Sequence, residues 1–178
     1  DVNGDGILDL ISAGFAVDLL GVQLGNGDGT FGTISALAAG DGPRLIATGD
    51  FNGDGRIDVA CTNQNSSDVS IYLNTGTALG TQTRRSVGTA PAVIHAGDID
   101  GDGDLDLATL SSGTARVTFL INNGAGAFTL GPLVLVGANP TDMRLADFDG
   151  DGDLDAIVTD RDANALSVLR NSGTGSFT

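Results

Sequence analysis

The stretch Asp98-Ile99-Asp100-Gly101-Asp102-Gly103-Asp104-Leu105-Asp106 decides the fold of this 178-residue chain, because the chain repeats it. Equivalent nine-residue stretches begin at Asp1, Asp50 and Asp147, so successive copies start 49, 48 and 49 residues apart. In all four copies, positions 1, 5 and 9 are Asp, position 3 is Asp or Asn, and position 6 is Gly. This pattern is typical of a loop that surrounds one hard cation with oxygen ligands.

Internal repetition with this period is typical of propellers and related arrays. Each repeat opens with a G-x-x-P corner (residues 40–43, 88–91 and 137–140) and continues through a short apolar run into the acidic loop. Two runs with alternating apolar residues follow the loop, separated by a polar turn, and the second run ends at a glycine-rich tip. Period-two alternation predicts strands, and the glycines suit hairpin tips that require positive φ.

The repeat therefore predicts four short antiparallel strands, which is one blade of a β-propeller. The first strand is expected around residues 45–47, 93–95 and 143–145, with the acidic loop between the first and second strands. The fourth strand is expected around residues 34–37, 86–87 and 133–136. The fold class is thus an all-β propeller segment with repeats at about 1–40, 41–88, 89–137 and 138–178. The first and last blades are expected to be incomplete.

Composition excludes several classes of protein. The net charge is -15, yet 16 of the 23 aspartates lie in the four loops, so the acidity is local. Four bound divalent cations would bring the net charge to about -7. The eight arginines are scattered, which disfavours nucleic acid as a partner, and no apolar run is long enough to span a membrane. The single cysteine, Cys61, is expected to be a small buried residue.

Three features carry the resemblance of this chain to a known family: the four acidic loops, the G-x-x-P corners such as residues 88–91, and Phe31-Gly32. Together they resemble the FG-GAP repeats, including the related VCBS-type repeats and the calcium-binding blades of integrin α-subunit propellers. The resemblance covers the entire chain. It implies an extracellular or cell-surface propeller whose loops hold Ca²⁺, about one ion per repeat, and which serves mostly in adhesion or recognition.

The resemblance also implies the ligands: the side chains at positions 1, 3, 5 and 9 and the backbone carbonyl at position 7. Transferred by position, the predicted metal-binding residues are Asp1, Asn3, Asp5, Ile7 and Asp9; Asp50, Asn52, Asp54, Arg56 and Asp58; Asp98, Asp100, Asp102, Asp104 and Asp106; and Asp147, Asp149, Asp151, Asp153 and Asp155. Position 2 is apolar in all four loops (Val2, Phe51, Ile99, Phe148), which predicts an anchor into the core of the blade.

Other interpretations of the motif are weaker. EF-hands and dockerins share its opening, but they require an acid at position 12 and a helix afterwards, whereas position 12 here is Ser12, Cys61, Thr109 or Val158. The nonapeptide toxin-type repeat is excluded by the longer period.

The stretch 25–29 superficially resembles a nucleotide-binding loop but is expected to be a hairpin tip. His95, the only histidine, has no nucleophile paired to it by repeat position and is not expected to be catalytic.

Three functional hypotheses follow. The first is a calcium-stabilised interaction module that recognises a protein or a polysaccharide. The second is the propeller portion of a carbohydrate-active enzyme or lectin, and the third is a structural homo-oligomer in which neighbouring copies complete each other's terminal blades. The chain itself is not expected to be an enzyme.

Overall fold

The computed structural model describes all residues 1–178 and contains fourteen strands and no helix. The strands form four antiparallel sheets in chain order, and each sheet is one blade. Blade 1 contains β1 (Leu10–Gly14), β2 (Leu19–Gln23) and β3 (Ser35–Ala38), and blade 2 contains β4 (Pro43–Gly49), β5 (Asp58–Asn63), β6 (Asp68–Tyr72) and β7 (Thr83–Ser86). Blade 3 contains β8 (Pro91–Gly97), β9 (Asp106–Ser111), β10 (Arg116–Ile121) and β11 (Thr129–Leu135), and blade 4 contains β12 (Pro140–Ala146), β13 (Asp155–Asp160) and β14 (Ala165–Leu169).

The prolines of the G-x-x-P corners begin the inner strands β4, β8 and β12. The glycine of the corner is required because the last residue of the second strand lies directly beneath it. A Cβ placed at Gly88 would lie 2.6 Å from the Cβ of Ser111, and one placed at Gly40 would lie 2.6 Å from Cγ of Asn63. Any side chain at these corners would therefore push the inner strand away from the strand beside it.

The hydrophobic core lies between the blades, in three separate layers. Val2, Leu20 and Val22 of blade 1 pack with Val59, Tyr72 and other residues of blade 2. The next layer joins blades 2 and 3 around Phe51, Ile71, Leu107 and Phe128, and the third joins blades 3 and 4 around Ile99, Phe119, Met143 and Val158. Each blade therefore needs a neighbour to bury its apolar face.

Most of the predicted architecture is confirmed. The chain is all-β, and the acidic loops of blades 2, 3 and 4 connect the first strand of the blade to the second. The two terminal blades have three strands each. Cys61 is fully buried and unpaired, and residues 25–29 form the hairpin tip between β2 and β3.

Two predictions were wrong. The fourth strand of the second repeat is Thr83–Ser86 rather than 86–87, and that of the third is Thr129–Leu135 rather than 133–136, because pairing with the preceding strand extends it toward the tip. Phe148 does not anchor its loop in the core: its side chain is 46% exposed, whereas Phe51 at the same repeat position is 1% exposed. Phe51 packs against Phe128 of the next blade, and the structure holds no such blade beside Phe148.

Candidate metal centres

The first aspartate of each loop accepts hydrogen bonds from backbone N–H groups of the same loop. Asp98 accepts hydrogen bonds from Gly101 N at 2.8 Å and from Gly103 N at 3.0 Å, one on each oxygen. Loops 1 and 4 repeat this arrangement, and in loop 2 the donors to Asp50 are Asp54 N and Gly55 N. The glycines at positions 4 and 6 have positive φ in every loop, which lets successive N–H groups point inward. Hydrogen bonds within the protein therefore hold the loop in this shape without a ligand.

The ninth aspartate begins the second strand or lies next to it, beneath the loop. Asp106 has no exposed surface, and its two oxygens accept Ile99 N at 2.9 Å and Asn122 N at 2.7 Å. Burial raises the pKa of Asp106 to about 6 and also raises that of Asp58. This carboxylate therefore ties its loop to the end of the third strand, and its charge is held in poorly solvated surroundings.

Loops 1 and 2, which have Asn at position 3, relieve their own charge repulsion. Asn3 Nδ2 donates to Asp5 Oδ2 at 2.9 Å, and this hydrogen bond lowers the pKa of Asp5. Asn52 makes the same bond to Asp54 at 2.9 Å, and the Arg56 guanidinium adds an ion pair to that carboxylate at 2.6 Å. In these two loops the carboxylates already have donors from the protein.

Loops 3 and 4 have Asp at position 3, and this residue has no amide group that could donate a hydrogen bond to the carboxylate at position 5. Burial, followed by the negative charge of Asp102, raises the pKa of Asp100. Burial and the charge of Asp151 act in the same way on Asp149. A cation between the carboxylates would remove the conflict, because it favours the charged form of each of them.

The structure brings two sets of predicted ligands together: Asp98, Asp100 and Asp106 in loop 3, and Asp147, Asp149 and Asp151 in loop 4. Within each set, one carboxylate oxygen from every residue lies within 4.8 Å of the others. These sets do not include Asp102 or Asp155. Oδ1 of Asp100 is buried and has no hydrogen-bond partner. An all-oxygen cluster with an unpaired buried oxygen fits Ca²⁺, which binds oxygen ligands and tolerates irregular geometry.

The residues at position 7 point their side chains toward the hairpin tip of their own blade. Arg56 Nε donates to Asn74 O at 3.3 Å, and the carboxylates of Asp104 and Asp153 lie against Gly124 and Gly173. Ile7 lies beside Gly25 and Gly27 in the same way. The side chains therefore pack against the tip, and metal binding by the carbonyl at position 7 stays a prediction.

Three asparagines, each at the start of a hairpin tip in blades 2, 3 and 4, join neighbouring loops. Asn74, Asn122 and Asn171 are 4–5% exposed, and we refer to them as the bridging asparagines. Nδ2 of Asn122 donates to Phe51 O of the preceding loop at 2.7 Å and to Leu105 O of its own loop at 3.0 Å. The sequence carried a signal, since each lies 16 residues after the ninth aspartate of its repeat, where blade 1 has Gly25.

His95 lies on the inner strand β8, next to the inner strand of blade 4. Its Nε2 atom is 2.8 Å from Met143 O, and the Arg144 guanidinium is 3.3 Å from the same nitrogen and 2.7 Å from Asp142. These three side chains line a groove of about 410 Å³ between the inner strands of blades 2, 3 and 4. Within the protein, His95 connects two blades.

The fold and the loops define a class: a segment of a β-propeller whose blades each carry an acidic loop. A structure of a putative 6-phosphogluconolactonase from Bacteroides fragilis superimposes on the whole chain with a TM-score of 0.76 at 20% identity, and the chain covers 51% of that protein. A similar protein from Bacteroides uniformis gives a TM-score of 0.77 at 20% identity, with 99% of this chain and 51% of that chain covered. A structure of BBS1N in complex with ARL6DN gives 0.66 at 19% identity, with 98% and 48% covered. The chain thus spans about half the length of these proteins, and the likeness shows the fold.

The family is shown by sequence. The model of the FG-GAP-like repeat matches residues 1–61, 50–109 and 98–158, so the chain belongs to the FG-GAP-like repeat family. A search of curated proteins finds no match. The structure contains no helix that is long and apolar enough to cross a membrane.

Proposed function

We propose that this chain is a calcium-stabilised extracellular propeller segment that serves as a recognition or adhesion module for a protein or polysaccharide partner. The observation that carries the calcium assignment is Oδ1 of Asp100, which is buried without a donor beside the carboxylates of Asp98 and Asp106. A buried carboxylate oxygen without a partner is costly, and a bound cation would offset that cost.

The role proposed for calcium is structural, and it differs between loops. In loops 3 and 4 the five aspartates of each motif repel one another, and a divalent cation would supply the charge that the protein does not. Loops 1 and 2 contain three aspartates each and already make the internal bonds of Asn3 and Asn52. We therefore expect loops 3 and 4 to depend most on calcium.

The location follows from the usual affinity of such sites. Extracellular calcium modules commonly bind with dissociation constants of roughly 10⁻⁴ to 10⁻³ M, so their sites are filled outside cells and empty in the cytosol. A propeller that needs calcium for stability is therefore best suited to the cell surface or to secretion.

Thermal unfolding tests the calcium assignment. At calcium concentrations about 100-fold above the dissociation constant, one site contributes about 2.7 kcal/mol, which corresponds to roughly 5 to 10 °C in melting temperature for a chain of this size. Replacing Asp100 by Asn recreates the position-3 residue of loops 1 and 2, so D100N should melt higher than the parent in chelator and gain less from calcium. The control D28N changes an exposed aspartate of the hairpin tip in blade 1. An identical melt of the parent protein with calcium and with chelator would refute the proposal.

The second candidate is the propeller portion of a lectin or carbohydrate-active enzyme. It is favoured by the groove that contains His95, Arg144 and Asp142, which offers donors and an acceptor between apolar strands. Binding of the calcium-loaded chain to a glycan array would separate the two candidates when it is repeated with R144Q. Glycan binding that is lost in R144Q favours the lectin, whereas binding that is unaffected places the recognition surface elsewhere.

The third candidate is assembly through the terminal blades. Phe31 at the tip of blade 1 and Phe148 in the loop of blade 4 are 44% and 46% exposed, although tip and loop residues at the joints inside the chain pack together. Sedimentation of the isolated chain measures this directly. A concentration-dependent dimer would support assembly between copies, and a monomer at all concentrations would exclude it.

A further inference from the structure

We propose that the bridging asparagines couple calcium binding in neighbouring loops, so that a cation in one loop raises the affinity of the next. The inference rests on the calcium sites proposed above and adds a property that a set of independent loops would not have.

The hydrogen bonds form a continuous path between the ninth aspartates of adjacent loops. Asp58 Oδ2 accepts Phe51 N at 2.8 Å, and Phe51 O accepts Asn122 Nδ2 at 2.7 Å. The backbone N–H of Asn122 then donates to Asp106 Oδ1 at 2.7 Å. Two aspartates that lie 48 positions apart are thus connected through one loop residue and one asparagine.

The same path recurs at the other two joints. Asn74 donates to Val2 O at 2.8 Å and, through its backbone N–H, to Asp58 Oδ1 at 2.6 Å. Asn171 donates to Ile99 O at 2.7 Å and to Asp155 Oδ1 at 2.8 Å. Because Asp58 and Asp106 take part in two joints each, the path extends through all four loops.

Coupling follows from the cost of ordering. A cation that engages the ninth aspartate of one loop also fixes the position-2 residue bonded to it, and therefore the carbonyl that the next bridging asparagine uses. The neighbouring loop then closes against a partner that is already ordered, so its own cation spends less binding free energy on ordering. Such coupling is reciprocal, with typical factors of about 5 to 150 in affinity.

The chemistry of the position favours asparagine. Its primary amide has two N–H donors, which are needed for the carbonyls of two different loops, and its short side chain holds them close to the strand end. Blade 1 provides the contrast, because Gly25 keeps the backbone bond to Asp9 Oδ1 at 2.9 Å but has no amide to reach a preceding loop. Glycine is therefore a substitution that this repeat already accommodates.

The proposed coupling raises the calcium affinity of the neighbouring loop, whereas direct electrostatic interaction between the bound cations would lower it. Adding a divalent cation to one loop makes the field at its neighbours less negative, which weakens calcium binding there. Positive coupling between loops must therefore come through the contacts between them.

The experiment is a double-mutant cycle on the calcium-stripped chain, followed by amide NMR during titration with calcium alone. Gly55 N–H donates to Asp50 Oδ2 at 2.7 Å, so its resonance reports the filling of loop 2. D100A disables loop 3 by removing a carboxylate of the Asp98, Asp100 and Asp106 set, one whose Oδ1 has no hydrogen-bond partner in the protein. N122G removes the bridge between loops 2 and 3 and keeps the backbone N–H. The control N123G removes a neighbouring amide side chain that bonds only within the tip.

In the parent chain and in N123G, D100A should raise the calcium concentration that half-fills loop 2 by about five-fold or more. In N122G it should change that concentration by less than about two-fold. Equal effects of D100A in the parent chain and in N122G, or no effect in either, would overturn the coupling while calcium binding stands. Loop glycines that do not respond to calcium at all would refute the proposed function and the coupling together.

If N122G fails to fold in calcium, the joint between loops 3 and 4 provides the same cycle. N171G removes the bridge, D151A disables loop 4, and Gly103, which donates to Asp98, reports loop 3. If D151A raises the calcium concentration that half-fills loop 3 by about five-fold and N171G abolishes this increase, the coupling is supported. If the increase remains in N171G, the coupling is overturned.

Discussion

Without calcium, this protein should become less stable as the pH rises from 5 to 7, whereas ordinary acid denaturation makes proteins less stable as the pH falls. The reason is Asp106, whose pKa burial raises from 3.8 to about 6. An aspartate with a higher pKa in the folded state binds a proton on folding between these two values. Its contribution is fully present below about pH 3.8 and is lost as the pH rises through about 6.

The magnitude follows from the two pKa values. The increase in the pKa of Asp106 from 3.8 to about 6 corresponds to about 3 kcal/mol of unfolding free energy over the full pH range. Roughly 1 kcal/mol of this is lost between pH 5 and 7. Asp58 shifts in the same direction, also by burial, and strengthens the trend. Bound calcium reverses it, because the cation requires deprotonated carboxylates and competes with protons.

Urea unfolding at pH 5, 6 and 7, with the protein stripped by a chelating resin, measures the effect. D106N serves as the control, since a side chain that does not titrate should reduce the dependence on pH by about 1 kcal/mol whatever its effect on absolute stability. Stability of the calcium-free protein that rises from pH 5 to 7 would refute the reasoning, as would an unchanged dependence in D106N.

Three further predictions concern packing and backbone strain, and urea unfolding in calcium measures each. F51A should cost about 3 to 5 kcal/mol because Phe51 is buried between two blades, whereas F148A should cost less than about 1 kcal/mol, and equal losses would contradict the assigned packing. A115G should stabilise the protein by about 0.5 to 1 kcal/mol because Ala115 has a φ of 45°, while A36G in strand β3 should destabilise it. G88A should cost about 1 to 3 kcal/mol because its methyl group would overlap Ser111, and a neutral result would show that the corner can relax.

Much of the fold was predictable because its determinants are local and repeated. A glycine-rich acidic loop, an alternating strand and a hairpin tip each depend on a few neighbouring residues, and four copies in register reveal the blade. The ends of the outer strands were predicted less well, because pairing with the preceding strand sets them, as for Thr83–Ser86.

The candidate metal sites were likewise predicted only in part from the sequence. The sequence alone identified the loops and the aspartates at positions 1 and 9, whose hydrogen bonds are made within one repeat. The bridging asparagines required the tertiary structure, since Asn122 Nδ2 bonds a carbonyl 71 positions away and no local pattern indicates that partner.

Phe51 and Phe148 show most clearly what the sequence determined by itself and what only the tertiary structure decided. Both follow the first aspartate of their loop, and the sequence alone predicts the same buried role for both. In the folded protein one is 1% exposed and the other 46%. The motif determines where each side chain points, but burial depends on whether another blade lies beside it, because blades of this repeat bury their apolar faces only against each other.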